Sequence, residues 1–245
     1  MDLSPDGKWF IYGRHWEGKC HIWALPSAGG EPRRLLMDPM NQYMCKWSPD
    51  GHYVAFHSEE PDNRNLWVVK FEDGSSRQLT QQEAWDVGPN WSPDGKEIAF
   101  YSARSGNMDI WVIPNQGGEA QQITTHPSMD YLPGWSQDGQ WINFLSARNG
   151  EWQYWRVPRT GGDPELLSND EYPTGIKSLD GQKIYYHKGH NIWVKSINTG
   201  VDVQLTNLTG KYGGIESIRA IDDKYIYFIW QEDISDIWVM DVEWE

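Results

Sequence analysis

Two carboxylates occupy the same place in two copies of a repeated segment. Asp86 and Asp130 each precede a turn serine by six residues. Carboxylate oxygens are the hard ligands that a calcium ion prefers, so this pair allows a calcium site. Together with Glu151 and Glu171, the same residues could instead supply the two carboxyl groups of a glycosidase. A third interpretation is that they cap loop backbone as Asx turns, which requires no ligand.

Tryptophan is the second residue type with functional potential. The chain contains 16 tryptophans, and most of them recur at fixed places in the repeat, where packing is their expected role. Four others, Trp16, Trp85, Trp152 and Trp230, fall in predicted loops. Exposed indole rings stack on sugars or anchor a protein partner, because they offer a large contact area at a low entropy cost. We therefore predict that these loops form a binding surface.

Patterns that would identify a catalytic centre are weak. His57 and His187 each follow their turn serine by nine residues, with His126 and His190 in neighbouring loops, but their spacing is not that of a known metal motif. The sequence has no G-x-S-x-G nucleophile elbow. It also has no glycine-rich phosphate loop that follows a strand and opens a helix. We predict no catalytic residue and no cofactor beyond the calcium ion considered above.

The elements that must position these residues are copies of one four-stranded unit. Its clearest copy is residues 90–124, in which an S-P-D-G turn and two later turns separate β-branched and aromatic runs typical of strands. The turn position recurs at steps of 44, 44, 44, 42 and 42 residues. Four strands repeated about every 40 to 45 residues indicate the blade of a β-propeller. The turn positions are Ser4, Ser48, Ser92, Ser136, Ser178 and Ala220, and the tryptophans of the third strands are Trp23, Trp67, Trp111, Trp155, Trp193 and Trp238.

We predict an all-β fold, a six-bladed β-propeller of four-stranded antiparallel blades, in a single domain of residues 1–245 with six repeats of about 42 to 44 residues. The last blade is expected to lack its outer strand, because few residues follow its third strand. The first blade also begins late in its first strand, so we expect either a piece of a longer chain or an open ring. The chain is expected to be a monomer unless the open blade edge pairs.

In such a ring, the turns between second and third strands share one surface, the loop face, with the connections between blades. Symmetry would place Asp86 and Asp130 near the mouth of the central channel on that face. The third-strand tryptophans would lie in the contacts between blades. The predicted binding residues of the loop face are Trp16, Trp85, Asp86, His126, Asp130, Tyr131, Arg148, Trp152, Tyr172 and Trp230.

The repeat resembles a known family. The pattern P-x-W-S-P-D-G-K-x-I-A-F, continued by D-I-W-V, G-G and Q-x-I-T, is similar to the TolB-like, WD40-like (PD40) propeller repeat, and the resemblance spans the chain. By resemblance, such repeats occur in periplasmic TolB, which binds partner proteins, in propellers attached to prolyl-oligopeptidase-type peptidases, and in some carbohydrate-active enzymes. The resemblance implies a non-catalytic protein-recognition or scaffold domain. Its alternatives are a propeller that binds or degrades polysaccharide, and a peptidase propeller without its hydrolase domain.

Composition limits the partners. With 21 basic and 35 acidic residues the net charge is −14, and no basic cluster is present, so nucleic acid and anionic membranes are not expected partners. No apolar run approaches the roughly 20 residues of a membrane span, and the residues before the first repeat are not expected to form a signal peptide. Cys20 and Cys45 are predicted to be buried thiols. The expected partner is a protein or a glycan, and the resemblance implies a periplasmic or extracellular location.

Overall fold

The computed structural model describes residues 1–16, 18–60, 63–167, 176–177, 182–208, 214–221, 225–231 and 235–241. All the regular elements in these ranges are β-strands. None of these residues belongs to a helix long and apolar enough to span a membrane. The chain divides into two compact units, residues 1–168 and 169–245, which we describe separately. The single-domain organisation stays a prediction.

The first unit contains four antiparallel sheets of four strands each, and each sheet corresponds to one sequence repeat. Consecutive strands pair in order, so every sheet is a simple meander. Blade 1 comprises β1 (Asp2–Leu3), β2 (Trp9–Trp16), β3 (Lys19–Pro26) and β4 (Arg33–Arg34), and blade 2 comprises β5 (Asn41–Trp47), β6 (Tyr53–Glu59), β7 (Leu66–Lys70) and β8 (Ser76–Gln78). Blade 3 comprises β9 (Asp86–Trp91), β10 (Glu97–Ser102), β11 (Asp109–Pro114) and β12 (Gln121–Gln122), and blade 4 comprises β13 (Asp130–Trp135), β14 (Trp141–Ser146), β15 (Gln153–Pro158) and β16 (Glu165–Leu166).

The second unit contains one more four-stranded sheet and one sheet with three strands. The described residues therefore form five four-stranded blades rather than the six predicted, and the three-stranded sheet of the last repeat agrees with the expectation that the last blade lacks its outer strand. The turn position and the tryptophan used to count repeats lie in the first three strands, so the last repeat is counted although its sheet has only three strands. Blade 5 comprises β17 (Ile176–Lys177), β18 (Lys183–Lys188), β19 (Asn191–Ser196) and β20 (Asp202–Gln204), and the three-stranded sheet comprises β21 (Gly214–Ile221), β22 (Tyr225–Gln231) and β23 (Ser235–Asp241).

The serine hydroxyl of each S-P-D-G turn both donates and accepts a hydrogen bond within the turn. The Ser92 hydroxyl donates to Asp94 Oδ1 at 2.7 Å and accepts the backbone N–H of Glu97 at 2.9 Å. Gly95 adopts φ +68°, a left-handed conformation that favours glycine. The serine-to-aspartate bond recurs in the turns that begin at Ser4 and Ser48, and in the turn that begins at Ser136, where Gln137 replaces the proline. The same hydrogen-bonded turn therefore forms in four copies.

The hydrophobic core of the first unit lies between consecutive blades. One cluster joins blades 1 and 2, a second joins blades 2 and 3, and a third joins blades 3 and 4. Trp67, Trp111 and Trp155 pack against these clusters, which confirms the predicted role of three of the third-strand tryptophans. These packed, four-stranded antiparallel blades confirm an all-β propeller architecture. Cys20 and Cys45 are buried free thiols, and burial raises the pKa of Cys45 to about 11.

The first strands of blades 2, 3 and 4 contain the same irregularity. Their pairing with the second strand shifts register around residues 44, 88 and 132, which lie 44 residues apart. Met44 has φ 51°, Gly88 has φ 66° and Leu132 has φ 53°. A left-handed conformation costs a residue with a Cβ roughly 1–2 kcal/mol. The bulge is therefore free of this cost at Gly88 and strained at Met44 and Leu132.

Candidate functional site

The predicted carboxylates Asp86 and Asp130 are fully buried at the start of β9 and β13. Arg104 donates to Asp86 Oδ2 at 2.6 Å through its Nη2, and Arg148 donates through its Nη2 to both carboxylate oxygens of Asp130 at 2.9 Å. Burying a charge is costly unless it is paired and hydrogen-bonded. Each aspartate is therefore compensated by an arginine of its own blade.

Each arginine also contacts a serine hydroxyl and two aromatic rings. In blade 4, Arg148 Nε donates to Ser146 Oγ at 3.2 Å, and its guanidinium lies 4.8 Å from the ring centroid of Phe144 and 5.1 Å from that of Trp155. Blade 3 repeats this arrangement. There the corresponding residues are Arg104, Ser102, Phe100 and Trp111.

These contacts bear on the metal and glycosidase interpretations. Among the described residues, no three His, Cys, Asp or Glu side chains are placed to hold a metal ion. Asp86 Oδ1 is buried and has no hydrogen-bond partner among the described residues. Asp86 Oδ2 and both carboxylate oxygens of Asp130 accept hydrogen bonds from arginine. Calcium binding stays a prediction. Glu171, one of the proposed glycosidase carboxylates, lies outside the described residues.

A third buried aspartate begins β11 of blade 3. Asp109 Oδ2 accepts from Ser105 Oγ at 2.6 Å and from Gln122 Nε2 at 3.0 Å, and its Oδ1 accepts from Thr124 at 3.4 Å. Burial raises the pKa of Asp109, and the nearby charge of Asp130 raises it further. The equivalent residues of blades 2 and 5 are asparagines, Asn65 and Asn191, each accepting from the corresponding threonine.

We expect Asp109→Asn to raise the free energy of unfolding at pH 7 by about 1 kcal/mol, because it removes a charge that the site disfavours while keeping an acceptor. A raised pKa means that the folded state binds the proton more tightly, so wild-type stability falls as pH rises past the unfolded value of 3.8. The advantage of the variant should therefore shrink as pH falls towards 4. Urea unfolding between pH 4 and 8 measures this.

Asp94→Asn is the matched control with the opposite sign. The hydroxyl of Ser92 and the backbone N–H of Lys96 lower the pKa of Asp94, so its charge stabilises the fold above the unfolded pKa and the benefit is lost as pH falls. This variant should be less stable than the wild type at pH 7 and should approach it in acid. Equal pH profiles for the two variants would contradict the assignment.

We define a surface, the aromatic band, as Met44, Tyr101, Met129, Tyr131 and Trp152. The rings of Tyr101 and Tyr131 meet edge to face with centroids 5.4 Å apart, and Tyr131 and Trp152 are 5.8 Å apart. Tyr101 Oη lies 3.8 Å from Met44 Sδ, and Tyr131 Oη lies 2.7 Å from Met129 Sδ. Met44, Met129 and Trp152 are 45%, 49% and 57% exposed. The band is thus a continuous apolar surface across blades 2 to 4.

The bulge positions the centre of the band. A Cβ at Gly88 would lie 2.3 Å from Cε1 of Tyr101, so only glycine lets this ring rest on the first strand of blade 3. At the equivalent places, Met44 and Leu132 keep exposed side chains, 45% and 47% accessible. The bulges of blades 2 and 4 therefore each present an apolar side chain, Met44 and Leu132. The bulge of blade 3 instead has Gly88, which the Tyr101 ring covers.

A second group, the Arg64 cluster, consists of Tyr43, His57, Glu59, Arg64 and Trp85. Arg64 forms an ion pair with Glu59, and its guanidinium lies 4.2 Å from the ring centroid of Trp85. Tyr43 stacks on His57 at 5.8 Å. Burial, followed by the charge of Arg64, lowers the pKa of His57 to about 3, so this histidine is neutral at ordinary pH. Trp85 remains 44% exposed.

The predicted binding residues therefore fall into different environments. Tyr131 and Trp152 belong to the aromatic band, Trp85 belongs to the Arg64 cluster, and Asp86, Asp130 and Arg148 lie in the buried pairs. His126 Nδ1 accepts the backbone N–H of Ser128 at 3.0 Å in the loop before Met129. Trp16 ends β2 and Trp230 lies in β22, rather than in loops. Tyr172 lies outside the described residues.

Sequence reasoning missed Met44, Arg64, Tyr101, Met129 and Leu132. Nothing in their residue types distinguishes them from ordinary loop or strand residues. One signal was available: residues 44, 88 and 132 keep the 44-residue spacing, and a glycine occupies one of the three places. A glycine alternating with large apolar residues at one repeat position indicates a special backbone conformation.

Comparisons with known proteins identify the fold. The family described as the Tricorn protease N-terminal beta propeller domain matches residues 62–243. A structure assigned as TolB from Agrobacterium tumefaciens is 30% identical, with a TM-score of 0.63, and the match covers 68% of this chain and 63% of that one. TolB from Acinetobacter baumannii is 19% identical, with a TM-score of 0.66, over 92% of this chain and 61% of that one.

A puromycin-hydrolyzing peptidase from Mycobacterium tuberculosis is 15% identical, with a TM-score of 0.61, over 96% of this chain and 43% of that one. At this identity the likeness shows the fold alone. A search of the curated proteins finds no match. The chain spans about three fifths of the length of the TolB structures it resembles. Because the family pattern matches most of its length, this chain belongs to the family of the Tricorn protease N-terminal β-propeller domain and is a TolB-like propeller.

Proposed function

We propose that this chain is a non-catalytic recognition domain whose aromatic band binds a protein partner. The observation that carries the proposal is the continuity of the band. Its two tyrosines, one tryptophan and two methionines form an unbroken set of side-chain contacts at the surface. Tyrosine and tryptophan are enriched at the centres of protein interfaces, and methionine adapts to irregular partners.

The rigidity of the support also favours recognition. Tyr131 directly follows Asp130, which is fixed by Arg148, and Tyr101 precedes Ser102, which accepts from Arg104 at 3.0 Å. Rings held on ordered strands lose little conformational entropy when a partner binds. The same ion pairs occupy oxygens that an acid and base pair would need, which supports a binding role over a hydrolytic one.

The main alternative is a carbohydrate-binding propeller, because the same exposed rings could stack on sugars. The peptidase-propeller alternative concerns a larger protein of which this chain would be one part. The periplasmic or extracellular location implied by the TolB-like resemblance is part of the proposal. Fractionation of cells that express the complete gene tests it.

Selection of a random peptide library displayed on phage tests the proposed function. Peptides enriched on the wild-type chain should bind Tyr131→Ala and Trp152→Ala about tenfold more weakly, a loss typical of a central interface residue. Met37→Ala is the matched control, because Met37 is 79% exposed and lies outside the band. Circular dichroism checks folding of each variant.

An oligosaccharide array run with the same variants separates the alternatives. Oligosaccharide binding that is lost in Trp152→Ala would favour the carbohydrate function. Enriched peptides that bind both variants as tightly as the wild type would show that the band is not the recognition surface. Turnover of a polysaccharide by the wild-type chain would contradict the non-catalytic proposal.

A further inference from the structure

The strained bulges identify two residues that the fold does not need. Met44 and Leu132 hold left-handed backbone, which residues with a Cβ disfavour. Gly88 shows that the same bulge forms without a side chain. Roughly half of each strained side chain is exposed, so neither is a core residue. Strain that persists without a packing reason is typical of a functional contact.

These two residues border the centre of the aromatic band. Met44 Sδ lies 3.8 Å from Tyr101 Oη, and Tyr101 packs against Tyr131, the residue immediately before Leu132. An apolar side chain of a partner that packs on the Tyr101 ring would thus contact the Met44 thioether on one side. On the other side it would meet Tyr131 and the exposed Leu132.

The loops around the band carry an excess of negative charge. In blades 2 to 4 their basic residues are Arg64, Arg104 and Arg148, and all three are in ion pairs with acidic residues. Within the ranges that the structure covers, no ion pair involves three exposed acidic residues of the same loops. These are Glu60, Glu83 and Glu151.

The exposed ring of Trp152 adds a second attraction for cations, because indole faces bind Lys and Arg side chains. Glu151 precedes this tryptophan in the same turn. The net charge of −14 would further steer a positively charged partner to the chain. Charge and apolarity therefore favour the same kind of ligand on one surface.

We propose that the partner bound by the aromatic band is a basic polypeptide segment with apolar side chains, which contact Met44, Tyr101 and Leu132 while its Lys or Arg side chains lie against Trp152 and the acidic loops. This inference rests on the proposed function. It assigns Met44 and Leu132 as contact residues.

Fluorescence anisotropy with three labelled peptides of about ten residues tests the partner class. The probe alternates Lys and Leu, one control alternates Glu and Leu, and the other alternates Lys and Ser. We expect the Lys–Leu peptide to bind at least about tenfold more tightly than either control, with an affinity that falls as salt is added. Equal binding of the Glu–Leu peptide would overturn the charge assignment, and equal binding of the Lys–Ser peptide would overturn the apolar one.

Variants separate a specific site from general attraction to an acidic chain. Met44→Gly and Leu132→Gly should each weaken binding of the Lys–Leu peptide about fivefold or more. Glu151→Gln should also weaken binding. The control Glu72→Gln, which removes a charge from the turn after β7, should not weaken binding. Met37→Ala should also have no effect. Uniform binding across all five variants would overturn the proposal.

Thermal unfolding provides the second readout. Because glycine relieves the strain, Met44→Gly and Leu132→Gly should leave Tm unchanged or raise it by about 2 °C. A fall of several degrees in both variants would mean that the side chains support the fold, and the contact assignment would fail. If library peptides require the band but are not basic, this inference fails while the proposed function stands; if no library peptide requires the band, both fail.

Discussion

Arg148→Met is expected to lower the free energy of unfolding by about 3–5 kcal/mol. The substitution removes the guanidinium that donates to both oxygens of Asp130 and leaves a fully buried carboxylate without its partner. Removing one member of a buried ion pair typically costs this much, because the remaining charge has lost its water and its counter-charge. Methionine keeps much of the side-chain volume against Phe144 and Trp155. Urea unfolding followed by tryptophan fluorescence measures the change.

The double variant Asp130→Leu with Arg148→Met is the control for this expectation. Replacing both members of a buried pair with apolar residues is often neutral or stabilising, so the double variant should recover most of the lost stability. If the double variant is as unstable as Arg148→Met alone, the arginine acts through packing against the two rings rather than through the charge. Asp86 and Arg104 offer the same experiment in blade 3.

Gly88→Ala is the second substitution with a large expected effect, a loss of about 2–5 kcal/mol in the free energy of unfolding. Alanine at φ 66° is strained by roughly 1–2 kcal/mol, and its Cβ would lie 2.3 Å from the Tyr101 ring, so overpacking adds a further 1–3 kcal/mol. The ring must move, and the aromatic band would be interrupted at its centre. Chemical denaturation gives the stability, and the anisotropy assay gives the binding.

Gly134→Ala is the matched control, because Gly134 lies in the first strand of the next blade with open space around its Cβ position. Its effect on stability should be within about 0.5 kcal/mol of zero. In a Tyr101→Ala background, Gly88→Ala should lose its clash and retain only the backbone strain. A Gly88→Ala cost that is unchanged by removing Tyr101 would contradict the packing explanation.

The sequence could predict the blades because their determinants are local. Ser92, Asp94 and Gly95 bond or bend within a few residues of one another, so the turn is encoded wherever the motif occurs. Alternating β-branched and aromatic residues then define the strands on either side. The same locality explains why six repeats are counted although only five sheets have four strands: the last repeat keeps its first three strands, and the lack of its fourth is expected from the few residues that follow.

The candidate site was only partly predictable. Trp152, Trp85 and Tyr131 stood out as aromatic residues in or beside loops, and two of the three lie in the aromatic band. Met44 and Leu132 do not stand out by residue type, because their exposure results from a register shift whose sole sequence signal is the glycine at the equivalent position 88. The sequence also could not distinguish a free Asp130 from one paired with Arg148, 18 residues away.

The sequence by itself determined the strand order, the turns and the family, because these depend on hydrogen bonds and side-chain alternation within one repeat. Only the tertiary structure decided which polar residues are neutralised and which apolar residues are exposed. Neutralisation depends on pairs within one blade, such as Asp130 with Arg148. Exposure depends on the space left at Gly88 and on contacts between neighbouring blades, such as Tyr101 with Met44 and with Tyr131. Such contacts join residues about 30 to 60 positions apart, where the periodicity of a single strand carries no information.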